Sequence, residues 1–392
     1  MPSPDPKRPG LFIRDPYHYS DATLLVPPAL VQALECFDGQ QSELDLRSEL
    51  VRITGEIQVG ELEKHLFDSL NEAGFLENDR YYDLKAKREA EFATELKRDA
   101  VFAGAAYPKD RLKLADLLTA RIGAVQGTST TVGIAAPHAT PDGGWETYRA
   151  AYQALSSLEK ARDCTFVILG TSHYGAPDRF GLTRKMFVTP FGNAQTDVEL
   201  VSELEKVANG ATRMEDYCHA VEHSIEFQTV FLQHLYGPDV RILPILCGPF
   251  VKSLYEGGLP EENDNVARFF DALGNIASRE GPRLFWILGV DMAHMGQRYG
   301  DLLQARANSG EMLAIEERDR ARIAQIAAGD IRNYWSLVQQ GHDDMKWCGS
   351  SPFYTFMKVM PGLRGELAHY HQWQIDPHSV VTFGALRFEN AN

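Results

Sequence analysis

The sequence predicts an α/β fold, a mostly parallel sheet with helices on both faces, preceded by a small helical domain. Three observations carry this prediction. The chain has 392 residues, more than one ordinary hydrophobic core contains. Apolar runs alternate with amphipathic stretches from residue 96 onward, whereas residues 1–95 hold short, capped helical segments. We therefore expect two domains, at 1–95 and 96–392.

The first domain is predicted to be winged-helix-like. Proline and glycine bracket a helix over 28–39. A capping-box-like S-E-L-D begins a second helix over 42–55, and leucines at fourfold spacing mark a third over 59–73. The apolar and aromatic residues within 75–82 predict a short hairpin, which would be the wing. The charged stretch 84–98 is expected to be a solvated helical connector.

The second domain alternates between strands and helices. Runs that are apolar throughout are typical of strands buried on both faces. They lie at 132–136, 164–169, 241–247, 284–290 and 379–388. The helical stretches between them lie at 145–160, 197–208, 224–235, 264–279 and 311–328. Strands that alternate with helices predict a largely parallel sheet covered on both sides.

Composition excludes several classes of function. The formal net charge is −15, which opposes binding to nucleic-acid phosphates and to anionic membranes. The five cysteines are odd in number and show no C-x-x-C spacing, so we expect a reducing, cytoplasmic location rather than a disulfide framework. Neither a signal peptide nor an apolar run of the ~20 residues that a membrane helix needs is visible. Nucleotide-binding glycine loops and a G-x-S-x-G motif are also absent from the sequence.

Histidines follow three of the predicted strands. GIAAPH ends at His138, FVILGTSH at His173 and FWILGVDMAH at His294. In open α/β sheets the ligand crevice lies beyond the carboxyl ends of the strands, and neutral imidazole binds metals and transfers protons. His223 precedes the helix at 224–235, whose dipole favours the neutral ring. We therefore predict that His138, His173 and His223 meet at one metal-competent cleft.

Each histidine also has an ordinary structural interpretation. A single histidine after a strand is most often a loop residue with a satisfied hydrogen bond. Four histidines in matched contexts favour a common site. His369 and His371, in LAHYHQWQ, alternate as metal ligands on a strand do, or simply line one side of that strand.

The motifs around these histidines resemble the Memo family, the protein-B component of the bacterial AmmeMemoRadiSam gene grouping. The matching segments occur in family order between about residues 98 and 390. They are A-G-x-x-Y-P at 103–108, A-P-H-A at 136–139, G-T-S-H at 170–173, E-H-S-I-E at 222–226, D-x-x-H at 291–294 and C-G-x-x-P at 348–352. Thr140 departs from the glycine that usually follows A-P-H-A.

The resemblance implies a fold similar to class III extradiol dioxygenases, which bind non-heme iron(II) through two histidines and a carboxylate. It implies that His138 and His173 are metal ligands and that His223 is either a ligand or the catalytic acid or base. His294 is expected to be catalytic as well. The candidates for a further metal ligand are Asp291, Glu222 and His294.

One departure from the family bears on the metal. Animal Memo proteins carry a cysteine just before the final histidine of D-x-x-H, and that cysteine contributes to the metal site. Ala293 occupies this position here, which implies a site of imidazoles and carboxylates without a thiol. The implied cofactor is a divalent metal, iron first, with copper and zinc left open until the geometry is known.

The N-terminal domain, with FIRDPYHYS near its start and GFLE near its end, resembles PqqD-like winged-helix modules, which recognise peptides by strand addition. Three functions stay open at this point. The chain is a metal-dependent oxidoreductase with a small molecule in its cleft, a non-catalytic module that binds a peptide or anion there, or an accessory protein of a radical-SAM maturation system. No nucleic-acid or membrane partner is expected.

Overall fold

The computed structural model describes residues 7–125, 130–155 and 163–390. The chain divides into two compact units, Met1–Thr94 and Glu95–Asn392. Each unit has a hydrophobic core of its own.

The first unit combines a two-stranded antiparallel sheet with helices. Its elements are β1 (Leu11–Arg14), β2 (Thr23–Val26), two 3-10 turns (Pro28–Leu30 and Gln32–Phe37), α1 (Glu43–Thr54), α2 (Gly60–Glu72) and α3 (Asp79–Thr94). Ser42 and Asp45 form the predicted capping box at the start of α1, and Gly55 ends that helix with a φ of 75°. The buried core residues are Ala33, Leu46, Leu50, Val59, Leu66 and Leu70.

The hairpin predicted within 75–82 is wrong, because α3 begins there. The side-chain oxygen of Asn78 accepts a hydrogen bond from the backbone N–H of Tyr81 at 3.3 Å, and its carbonyl accepts from Tyr82 at 3.0 Å. This cap, followed by residues that favour helix, outweighs the β-propensity of the tyrosines. Residues 84–94 of the charged stretch predicted as a connector belong to α3, and Lys97–Arg98 form a short strand instead. The helix predicted over 28–39 is a pair of 3-10 turns. The PqqD-like interpretation of this unit stays a prediction.

The second unit contains the sheet. Its strands are β3 (Lys97–Arg98), β4 (Thr131–Ala136), β5 (Thr165–Thr171), β6 (Phe180–Leu182), β7 (Met186–Thr189), β8 (Gly192–Thr196), β9 (Thr212–Met214), β10 (Arg241–Cys247), β11 (Leu284–Gly289), β12 (His294–Gly296), β13 (Leu363–Asp376) and β14 (Ser379–Asn390). Its helices are α4 (Arg111–Ile122), α5 (Trp145–Gln153), α6 (Val198–Ala208), α7 (Cys218–Val221), α8 (Glu226–Tyr236), α9 (Val251–Glu256), α10 (Asp264–Glu280), α11 (Glu311–Ala328), α12 (Ile331–Gln339) and α13 (Ser350–Val359).

The centre of the sheet is parallel, as the apolar runs predicted. Its main path runs β12-β14-β4-β11-β5-β10-β8-β7-β3. The neighbours β4, β11, β5 and β10 are parallel, whereas β14 is antiparallel to β4 and carries the long antiparallel β13 at its side. The α/β fold class is confirmed. The helix predicted over 145–160 ends at Gln153, and residues 156–160 lie outside the described part of the chain.

Helices cover both faces of this sheet. Consecutive residues of β5 belong to opposite cores, with Val167 and Leu169 on one face and Phe166 and Ile168 on the other. Helices α6, α10 and α13 contribute to the first core, and α4, α5 and α8 to the second. No helix in the described part of the chain is long and apolar enough to cross a membrane.

Candidate metal centre

Three of the predicted histidines meet beyond the carboxyl ends of the parallel strands. His138 follows β4, His173 follows β5 and His223 precedes α8. The ring centroids of His138 and His173 are 4.9 Å apart, those of His138 and His223 5.1 Å, and those of His173 and His223 5.0 Å. One nitrogen from each ring lies within 4.8 Å of the other two. The predicted convergence is confirmed, and the group could hold a metal ion.

His138 is fixed by the end of the neighbouring strand. Its Nδ1 lies 2.8 Å from the carbonyl oxygen of Gly289. A carbonyl only accepts hydrogen bonds, so Nδ1 carries the proton and Nε2 keeps its lone pair. The backbone N–H of His138 donates to Oδ1 of Asp291 at 2.9 Å. The ring is buried, with 1% of the residue exposed, and its orientation is set by the fold.

Glu222 fixes the other two rings at once. Its carboxylate accepts from the backbone N–H of His173 at 2.9 Å and lies 3.0 Å from Nδ1 of that ring. It also accepts from the backbone N–H of His223 at 2.8 Å and lies 3.1 Å from its Nδ1. An ionised carboxylate is only an acceptor, so both Nδ1 atoms carry protons and both Nε2 atoms are left as donors to a metal. Glu222 therefore orients ligands rather than serving as one.

The charges of the site favour a protonated His173 beside Glu222 in the metal-free chain, so a metal ion would displace the proton from Nε2 of that ring. Burial lowers the pKa of His138 well below its usual value, and the neighbouring His173 and His223 lower it further. Desolvation alone would lower the pKa of His173, but the Glu222 carboxylate and the Cys348 thiol raise it well above the usual range. Burial opposes ionisation of Glu222, yet the two imidazoles hold its pKa well below the usual value. The carboxylate therefore stays ionised beside its two rings.

A thiol lies beside the three rings. Sγ of Cys348 lies 3.3 Å from Nε2 of His138 and 3.5 Å from the carbonyl oxygen of Asp291. Thr171, at the end of β5, donates its hydroxyl hydrogen bond to the carbonyl of Cys348 at 3.0 Å and so anchors the segment. Burial raises the pKa of the thiol, and its hydrogen bond with His173 opposes that shift. The C-G-x-x-P motif was the signal that could have assigned this residue to the site.

The expectation that Ala293 leaves the site without a thiol is therefore wrong. Ala293 is fully buried, and its backbone N–H donates to Oγ1 of Thr382 at 2.8 Å. The sulfur comes instead from Cys348, which follows α12 by nine residues in the sequence. Cys348 and Ala293 are distant in the chain, so the spacing around Ala293 could not place Cys348 beside the rings.

Asp291 and His294 lie beside the three rings. Oδ2 of Asp291 is 3.6 Å from Nε2 of His138, while its Oδ1 accepts backbone hydrogen bonds; burial raises its pKa. His294 is not among the three converging rings, and its Nδ1 lies 2.9 Å from the carbonyl of Met292 and 3.1 Å from that of Lys346. Burial lowers the pKa of His294 to about 4, so its ring is neutral at physiological pH.

One side of the centre is accessible. The side chains of His173 and His223 are 27% and 28% exposed, in contrast to the buried His138. Phe102 and Phe227 pack against the His223 ring, with centroids 5.5 and 5.6 Å away. A small molecule that reaches the rings from this side would meet imidazole edges beside an aromatic wall.

A buried ion pair supports the segment that carries Glu222 and His223. The guanidinium of Arg98 pairs with Glu226 and donates to the carbonyl of Glu222 at 2.7 Å. Tyr107 donates to the same Glu226 carboxylate. Arg98 and Glu226 side chains are 0% and 1% exposed. Neither Arg98 nor this pairing was predicted, because partners more than 120 residues apart leave no local pattern.

Comparison with known proteins identifies the family to which this chain belongs. A family model described as Memo-like protein matches residues 98–387. The chain belongs to the Memo family. Within the family, a MEMO1 family protein of Aquifex aeolicus is 26% identical over 382 residues, which are 96% of this chain and 95% of the relative. A MEMO1 family protein of Thermococcus kodakarensis is 30% identical over 249 residues, 61% of this chain and 79% of the relative. This Memo family chain therefore shares even its N-terminal unit with the bacterial relative.

Proposed function

We propose that this Memo family chain is a metal-dependent oxidoreductase related to extradiol dioxygenases, with iron(II) or copper held by His138, His173 and His223. One observation carries the proposal. Hydrogen bonds to Gly289 and Glu222 occupy Nδ1 of each ring, so all three Nε2 atoms can donate to one ion. Imidazoles fixed in this way are preorganised for metal binding.

The donor set fits a transition metal. Imidazole suits iron, copper and zinc, and a thiolate adds a soft donor that favours copper(I) or zinc. Ligand atoms at metal bonds of about 2.1 and 2.3 Å in tetrahedral geometry are roughly 3.6 Å apart. The 3.3 Å between Nε2 of His138 and Sγ of Cys348 is close to that separation. Cys348 is therefore proposed as a further donor, with Asp291 beside it.

The chain's own groups supply the remaining chemistry. A bound iron or copper ion would contribute redox chemistry at open coordination positions. His138 and Glu222 are buried, so they hold the donors in place and keep water from that side. His294, whose buried ring is neutral at physiological pH, is proposed as a proton acceptor beside the three rings, and His223 as the acid or base where it is not a ligand. Phe102 and Phe227 would limit the substrate to a small molecule with an apolar part.

Anaerobic loading with iron(II), followed by desalting and metal analysis, tests the proposal. We expect about one iron per chain, and its loss in His138→Ala and His173→Ala, because each variant removes one of three donors. His65→Ala, an exposed histidine on α2, is the matched control and should retain iron.

Oxygen uptake by the iron-loaded chain, with ascorbate as electron donor, tests the redox part. Uptake above the level of His138→Ala supports an oxidoreductase. Stoichiometric metal without any uptake would leave the non-catalytic binding or accessory role as the better interpretation. A wild-type chain that keeps no iron, copper or zinc would overturn the proposal.

A further inference from the structure

A buried carboxylate on α11 lies behind the candidate metal centre. Asp319 is fully buried. Its Oδ1 accepts a hydrogen bond from the indole N–H of Trp347 at 2.6 Å. Its Oδ2 accepts from the hydroxyls of Thr382 and Tyr370, each at 2.7 Å. Asp319 therefore receives three hydrogen bonds, from the segment before α13, from β14 and from β13.

The hydrogen bond from Trp347 leads to the thiol beside the three rings. Trp347 immediately precedes Cys348, whose Sγ lies 3.3 Å from Nε2 of His138. The guanidinium of Arg322 lies over the indole, 5.2 Å from its ring centroid. The indole is buried, so the bond at its Nε1 and the cation at its face fix its orientation. The backbone that carries Cys348 is held with it.

The hydrogen bond from Thr382 leads to the segment that carries Asp291 and His294. Oγ1 of Thr382 accepts the backbone N–H of Ala293 at 2.8 Å, and the backbone N–H of Thr382 donates to the carbonyl of Ala293 at 2.9 Å. A hydroxyl has a single proton, and that proton goes to Asp319. A continuous chain of hydrogen bonds thus joins Asp319 to this segment.

The two segments are also bonded to each other. The backbone N–H of His294 donates to the carbonyl of Met345 at 2.9 Å, and that of Gly349 donates to the carbonyl of Asp291 at 3.1 Å. The third hydrogen bond to the carboxylate differs, because Tyr370 lies on β13, a strand that carries none of the residues of the centre. Two of the three hydrogen bonds therefore lead to the centre and one does not.

We propose that Asp319 is a positioning residue of the metal centre, which holds Cys348 and the Asp291–His294 segment in place beside the three imidazoles. The proposal rests on the proposed function only where a metal is concerned. A buried carboxylate costs free energy unless hydrogen bonds compensate it, and here they do. Asparagine would present one oxygen and one NH2 group, so the donors of Trp347 and Thr382 could not both keep an acceptor.

Alkylation of Cys348 in the metal-free chain tests the proposal, because this thiol is only partly buried. Its rate with iodoacetamide, followed by mass spectrometry of the peptide that contains it, should rise about tenfold in Asp319→Asn and in Trp347→Phe, since the segment then opens more often. Tyr370→Phe is the matched control, because it removes one hydrogen bond from the same carboxylate and should leave the rate unchanged. Circular dichroism shows which variants are folded, and Trp347→Phe carries the comparison where Asp319→Asn is not. An unchanged rate in the folded test variants, or an equal rise in Tyr370→Phe, would overturn the proposal.

Cobalt(II) loading adds a spectroscopic readout, because a thiolate ligand gives cobalt(II) a near-ultraviolet charge-transfer band. At equal cobalt stoichiometry we expect the band in the wild type and in Tyr370→Phe, its loss in Cys348→Ser and a weaker band in Asp319→Asn. Full intensity in Asp319→Asn would contradict the positioning role. A wild-type chain that binds no cobalt, or binds it without the band, would refute the metal centre or its thiol donor instead. The alkylation rates need no metal and would still decide the role of Asp319.

Discussion

Replacing Glu222 by glutamine should weaken metal binding although Glu222 touches no metal in the proposed centre. The carboxylate presents two acceptor oxygens to Nδ1–H of His173 and of His223. A glutamine amide presents one oxygen and one NH2 group. One imidazole would then face a donor, so it would have to move its proton to Nε2, the nitrogen that should bind the ion. Glu222→Gln thus removes one ligand without removing a histidine.

The magnitude follows from the role of orienting groups. Loss of a hydrogen-bond partner behind a metal ligand costs about 10–100-fold in metal affinity, which corresponds to about 1.4–2.8 kcal/mol. Complete loss of one histidine ligand should cost more than this. The order of affinities is therefore expected to be wild type, then Glu222→Gln, then His173→Ala.

Competition with a chelating indicator measures these affinities directly. Far-ultraviolet circular dichroism shows whether each variant is folded, and Glu317→Gln, an exposed site on α11, is the isosteric control. A folded Glu222→Gln chain that binds metal within about twofold of wild type would refute the reasoning. Glu222 would then be a structural carboxylate only, and the tautomers of His173 and His223 would be set by other contacts.

Three further predictions concern stability. Gly289→Ala would place a Cβ 2.3 Å from the carbonyl oxygen of Ser224. The substitution should therefore lower the free energy of unfolding by about 1–3 kcal/mol and weaken metal binding. An unchanged midpoint of urea unfolding would contradict this. Glu226→Ala leaves the buried Arg98 guanidinium without its carboxylate and should cost about 3–5 kcal/mol, whereas a cost below about 1 kcal/mol would show that the pair is dispensable. Burial raises the pKa of Asp319 from 3.8 to about 6, so the folded state favours the protonated acid. The stabilising contribution of Asp319 is complete below about pH 4 and is lost as pH rises through about 6. Over that range the unfolding free energy of the wild type should fall by up to about 3 kcal/mol relative to Asp319→Asn. Parallel pH profiles of unfolding free energy for the two chains would contradict the shift.

Much of the fold was predictable because its signals are local. Every residue of β5, from Thr165 to Thr171, is buried, so the strand reads as one apolar run. The positions of His138 and His173 then follow from one rule, since parallel neighbours end at the same edge of the sheet. Convergence of these two rings required no knowledge of side-chain packing.

The remaining features depend on contacts that no short window contains. Cys348 reaches the centre through a segment in which Asp343 and Lys346 have φ angles of 53° and 54°, a left-handed conformation that Asp tolerates and Lys rarely adopts. Asn78 decides between helix and hairpin at the start of α3 through a single side-chain hydrogen bond. The apolar pattern gives no prediction for the segment before Cys348 and predicts the wrong element before α3. In both places a polar or loop residue sets the structure.

The repeated I-L-G ending of β5 and β11 has a physical reason that joins fold to site. A Cβ on Gly170 would lie 2.5 Å from the hydroxyl of Ser224, and one on Gly289 would lie 2.3 Å from its carbonyl oxygen. Both glycines therefore make room for the same residue, the immediate neighbour of His223. Ser224 also donates its hydroxyl hydrogen bond to the carbonyl of Thr171 at 2.8 Å. Because the two strand ends lack side chains here, the turn before α8 can lie directly on the sheet edge, and that closeness brings the third imidazole to the two that the strands already place.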